Sequence, residues 1–106
     1  MEPKGRPKKL RNVKNKPNIL VFSPRGKPGR PDEINLKYEE LEALRLADLN
    51  GMEQKEAAGH MGISRQSFSR VLKSARKSVA NGLINGKIIK VAGGSYKIIR
   101  KQKKTE

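Results

Sequence analysis

Between Lys37 and Leu49 the chain reads KYEELEALRLADL, with leucines at 41, 44, 46 and 49 on one broad apolar side and acids in the first turns. This predicts a helix, because residues three and four apart share a face and early carboxylates suit the positive end of the dipole. Asn50-Gly51 predicts its stop. A second, shorter helix is predicted over Glu53 to Met61, with Ala57, Ala58 and Met61 on one side. Alanines there let a neighbouring helix approach closely. Gly62 fits the left-handed position that ends a helix. Ser64 is a good N-cap for a third helix, since its hydroxyl accepts from the first free amides. Phe68, Val71, Leu72, Ala75 and Val79 then recur as one face of a helix expected to reach about Asn81-Gly82. Arg65, Gln66, Ser69, Arg70, Lys73, Arg76 and Lys77 fill another arc.

The flanks follow a different period. NILVF (Asn18 to Phe22) is a short β-prone run, followed by the Pro/Gly-rich connection SPRGKPGRPDE. KIIKV-AGGS-YKIIR places two β-prone runs around Gly93-Gly94 and predicts a hairpin. A two-residue turn would set Val91 opposite Tyr96, Ile89 opposite Ile98 and Lys90 opposite Lys97. That last pair is like-charged, and nearby phosphates would relieve it, making the hairpin a wing. Residues 1–17 hold three prolines and seven cations with almost nothing to bury, and read as a disordered basic arm. The folded domain is expected over 18–100 and a frayed basic tail over 101–106. The expected fold is mainly α: three helices in a helix-turn-helix with a small C-terminal β-hairpin, which the Asn18–Phe22 strand is placed to join.

Charge sharpens this picture. The 106 residues carry 25 Lys/Arg against 10 acids, a formal net charge of +15, which favours polyanionic partners. Residues 1–31 hold ten cations and one acid, 32–62 three cations and eight acids, and 63–106 twelve cations and one acid. A basic arm, an acidic middle and a basic second half make a polarised chain. No long apolar run suggests a membrane span, and no leader-like segment is apparent. Absent cysteines exclude disulfides and thiolate sites. A cytoplasmic, nucleoid-associated location is expected.

Two short helices joined by a glycine-containing turn form a helix-turn-helix pattern. Such a motif offers the exposed N-terminal residues of its second helix to base edges in the major groove. Arg can bond guanine O6 and N7, and Gln can bond adenine N6 and N7. Arg65, Gln66, Ser69 and Arg70 are therefore the candidate base contacts. Ser64, Ser67, Lys73, Arg76, Lys77, Lys90 and Lys97 are the candidate phosphate contacts.

The run from YEELEALRLADL through EAAGHMGISRQSF to SARKSVANGL, with the GRPKK start, resembles the prokaryotic family called domain of unknown function 134. Its helix-turn-helix is similar to region four of primary sigma factors. The resemblance implies a DNA-binding regulator with no characterised reaction. This chain departs from the pattern at Lys37 and Glu53, where members have better helix caps, and at Gly59, which falls within a helix. Cysteines found near the N-terminus of members are absent, so any metal role there does not carry over.

PKGRPKK (Pro3 to Lys9) resembles an AT-hook core, with Arg6 suited to a narrow A·T minor groove and Lys4, Lys8 and Lys9 beside it. A cationic tail adding nonspecific attraction accounts for the same residues, and both readings stay open. Arg30, followed by two acids, is a poor second copy. His60 has no second His or Cys to complete a metal site. Glu39, Glu40, Glu42, Glu53 and Glu56 read as dipole partners and solvated faces, and no catalytic residues, cofactor or enzyme are expected. The expected function is sequence-specific double-stranded DNA binding in transcription regulation. Homodimerisation is expected to help, because one helix reads few base pairs and the hairpin or first strand offers a pairing edge. Two alternatives are a nonspecific nucleoid or RNA binder, and an RNA polymerase interaction module that uses the acidic middle.

Overall fold

The computed structural model describes residues 9–26 and 29–99. Strands β1 (Arg11–Val13), β2 (Val21–Phe22) and β3 (Glu33–Leu36) precede helix α1 (Tyr38–Ala43), which continues as a π-helical turn over Leu44–Leu49. Helices α2 (Gln54–Met61) and α3 (Arg65–Asn85) follow, then strands β4 (Ile88–Val91) and β5 (Tyr96–Ile98). The protein is mainly helical, with a C-terminal pair of strands.

Lys37 precedes α1 in extended conformation and makes no side-chain cap. Instead Glu40 reaches back and accepts the Lys37 N–H at 2.9 Å, the returning half of a capping box. The widened turn that follows closes with the Asn50 N–H on the Arg45 carbonyl, 2.9 Å. Extra residues per turn displace the end of the apolar stripe. Leu46 is fully buried, whereas Leu49, expected on the apolar side, is 79% exposed.

Gly62 ends α2 at φ 68°, and Ser64 caps α3 by accepting the Ser67 N–H at 3.0 Å. Helix α3 runs past the expected stop. Gly82 lies buried inside it, where a Cβ would come within 2.6 Å of Ile89 Cγ1. That glycine serves the close approach of β4. The left-handed stop is Gly86, φ 62°.

Ala43, Leu46, Ala57, Ala58, Met61, Phe68 and Leu72 form one buried cluster among the helices. Leu36, Tyr38, Ala75, Ile89 and Val91 form a second between α3 and the strands. The anticipated inward face of α3 is thus shared between two cores. Tyr38 meets Tyr96 with ring centroids 4.6 Å apart.

The strand pairing corrects the expected hairpin register. β4 lies between β2, antiparallel, and β3, parallel, with Ile89 beside Phe22 and Ile34, Lys90 beside Val21 and Asn35, and Val91 beside Leu36. β5 pairs instead with β1, parallel, setting Tyr96, Lys97 and Ile98 beside Arg11, Asn12 and Val13. Both edges of β4 are occupied, so β5 has no place there. Gly93 and Gly94, at φ 73° and 109°, turn the chain toward the other sheet. The Asn18–Phe22 run does join β4, through Val21–Phe22. The arm expected over 1–17 is corrected by β1, which lies inside that range and buries Val13 to 2%. Residues 1–8 and the expected 101–106 tail lie outside the described residues.

Candidate nucleic-acid interface

The first turns of α3 carry Arg65, Gln66, Ser69 and Arg70, all exposed, behind a cap in which Ser64 Oγ and Ser67 Oγ are 3.1 Å apart. The fold separates these four. Arg65, Gln66 and Ser69 line an open hollow of about 430 Å³ with Gln54, the first residue of α2. Gln54 was not singled out in the sequence; its position at the start of the first motif helix, facing the start of the second, was the available signal. Arg70 and Ser67 line a different hollow, of about 230 Å³, on the side of α3 that faces α1 and β1.

Further along α3, Lys73 and Lys77 are exposed on the same outer arc. Arg76, placed among the phosphate contacts, is already engaged: Nη2 and Nε donate to Asp48 at 2.7 and 3.1 Å. This pairing raises the Arg76 pKa and holds Asp48 below the usual carboxylate value. Lys90 and Lys97 are both exposed but stand on different sheets, so they are not the facing pair of a wing. Lys4, Arg6 and Lys8 lie outside the described residues. Lys9 is exposed, and its carbonyl accepts from Arg11 Nη1 at 3.0 Å.

Three acids expected on solvated faces are buried. Glu39, Glu40 and Glu42 are only 4%, 5% and 6% exposed. Glu39 accepts the Ser95 N–H at 3.2 Å, on the β4–β5 connection. Glu40 accepts from the Ser74 hydroxyl at 2.6 Å, tying α1 to α3. Glu42 accepts the Lys14 N–H at 3.1 Å, next to β1, and takes a bidentate pair from Arg45 at 2.9 and 2.8 Å. Hydrogen bonding to Glu42 raises the Arg45 pKa. The α1 carboxylates therefore pin the N-terminal strand, α3 and the C-terminal connection, each through at least one hydrogen bond, although Glu39 Oε1 is left without one. Glu53 and Glu56 remain exposed. His60 is exposed, and its carbonyl accepts from Asn12 Nδ2 at 3.4 Å. Among the described residues no group of three or more His, Asp or Glu could hold a metal, and no helix is long and apolar enough to cross a membrane.

A helix-turn-helix domain clasped by two small sheets is the class this fold defines. The chain belongs to the family described as protein of unknown function DUF134, which matches residues 1–99. It is similar to a UPF0251 protein of Thermoanaerobacter sp. (strain X514), 47% identical over 100 residues, 93% of this chain and 88% of that one. A UPF0251 protein of Desulfosudis oleivorans is 50% identical over 92 residues, 86% of this chain and 67% of that one. One of Methanococcus maripaludis is 52% identical over 96 residues, 90% of this chain and 74% of that one. No solved structure matches.

Proposed function

We propose that the protein is a sequence-reading, double-stranded DNA-binding regulator of transcription acting in the cytoplasm on the nucleoid. The observation that carries this reading is the group formed by exposed Arg65, Gln66 and Ser69 with half-buried Gln54 where the two motif helices begin. Its amide and guanidinium groups suit adenine and guanine edges, and the opposite face of α3 is anchored by Phe68 and Leu72. A helix held so firmly from behind can enter a groove without repacking. Lys73 and Lys77 extend the basic stripe toward phosphate, and Arg76 joins them when it leaves Asp48. In this reading the protein acts by binding.

Burial of Glu39, Glu40 and Glu42 weighs against a polymerase-interaction module built on the acidic middle. Those charges are internal fastenings, which leaves Asp32, Glu33, Glu53 and Glu56 as its exposed acids apart from the paired Asp48. A homodimer fits the regulator reading, since β2 is an edge strand whose Val21 and Phe22 are 52% and 53% exposed.

Selection of bound duplexes from a random pool tests the proposal. A defined consensus is expected, and Arg65→Ala and Gln66→Ala should each weaken it by about 1–3 kcal/mol while affecting random duplex less. A two-fold symmetric consensus would mark the dimer. Equal affinity for the selected duplex, random duplex and hairpin RNA would overturn sequence reading in favour of a nonspecific binder.

A further inference from the structure

We propose that Arg11, Lys37 and Arg70 form a clamp for one DNA backbone phosphate on the α1 side of α3. This rests on the duplex reading above and extends the interface beyond the helix-turn-helix. The three cations come from β1, the residue before α1, and α3, and they line one hollow of about 230 Å³ together with Ser67, Ser74 and the carboxylates of Glu39 and Glu40, so cations outnumber acids there by one. That volume suits a phosphate group better than a larger molecule, whose sites run to roughly 300–1,000 Å³.

Arg11 is the informative member. Its Nη1 is spent on the Lys9 carbonyl, but its Nε is buried with no acceptor. A guanidinium N–H withdrawn from water without an acceptor is costly, and the planar fork is shaped for a phosphate oxygen. The neighbouring carboxylates do not supply that acceptor. Glu40 has both oxygens engaged, by the Lys37 N–H and the Ser74 hydroxyl. Glu39 Oε2 accepts from Ser95, and its Oε1, the other buried side-chain atom without a partner among the described residues, lies against Gly94. Among the described residues neither forms an ion pair with Arg11.

The arrangement brackets a groove. Arg65, Gln66 and Ser69 open toward Gln54 on one side of α3, and Arg70 and Ser67 open toward Arg11 and Lys37 on the other. A helix whose first side meets base edges would therefore meet the bordering strand's phosphate with its second. β1 is essential to this, because its pairing with β5 carries Arg11 to the hollow.

The test uses the full chain, the consensus duplex and the variants Arg11→Gln, Lys37→Gln and the double. The double variant should flatten the slope of log affinity against log salt by about 0.9, the value of one phosphate. It should also remove one flanking position from the phosphate-ethylation interference pattern. The ratio of consensus to random affinity should not change, because phosphate contacts carry no sequence information. Intact duplex binding with an unchanged slope and interference pattern overturns the clamp alone. Failure of the wild-type chain to bind duplex overturns the duplex reading and the clamp with it. Should Arg11→Gln fail to fold, Lys37→Gln decides by the same two readouts, because its side chain is exposed and its cap bond is made by its backbone.

Discussion

Two glycines inside helices have opposite roles. Gly59 in α2 is exposed and a Cβ there would meet nothing within 4 Å, whereas one on Gly82 in α3 would press on Ile89 Cγ1 and Cδ1 at 2.6 and 2.7 Å. Gly59→Ala should therefore raise stability by about 0.5–1 kcal/mol, the helix-propensity difference. Gly82→Ala gains the same propensity but overpacks a site beneath a buried strand, and should lower stability by about 1–2 kcal/mol net. Urea unfolding of the two variants checks both signs. Gly62 is constrained twice, by its left-handed φ and by Asn12 Nδ2, which a Cβ would meet at 2.9 Å. The turn signal was readable in the sequence; the Asn12 contact was not.

At the scale of elements, Glu40 links the start of α1 to the middle of α3. Glu40→Ala should cost about 1–3 kcal/mol, since it removes the bonds from the Lys37 N–H and the Ser74 hydroxyl, and Ser74→Ala about 1 kcal/mol. A double-mutant cycle in urea should return a coupling near 1 kcal/mol. The exposed Asp48–Arg76 pair behaves differently. Asp48 has its pKa lowered on folding, so its contribution is present above the ordinary value of 3.8 and lost as pH falls through the depressed one. Asp48→Asn should remove that acid-limb dependence from the melting temperature. At neutral pH it should also strengthen duplex binding, by releasing Arg76 and deleting a negative charge; unchanged affinity would show that Arg76 does not reach phosphate. The helices were legible because period, cap and stop residues agree over long stretches. The roles of Glu39, Glu40 and Glu42 were not, because two of their partners are backbone amides of Lys14 and Ser95, distant along the chain. A run of acids at a helix start looks the same whether it meets water or such amides.

For the whole molecule, salt dependence is the main prediction. Removing residues 2–8, with Lys4, Arg6 and Lys8, should flatten the slope by up to about 2.7 units at about 0.9 per phosphate. Removing 2–16 should also lower the melting temperature, because it takes away β1 and the buried Val13. That strand was hidden in the sequence: Arg-Asn-Val offers one apolar residue, and its partner is far away. The same long range decided the sheets, where local patterning identified β4 and β5 as strands but could not tell that each pairs with an earlier one. This topology bears on how the protein is made. β1, β2 and β3 all wait for partners that follow α3, so neither sheet can close on a ribosome until the helices have already emerged. The three helices can gather first, and the strand that carries Arg11 gains its partner only once residues 96–98 have been made.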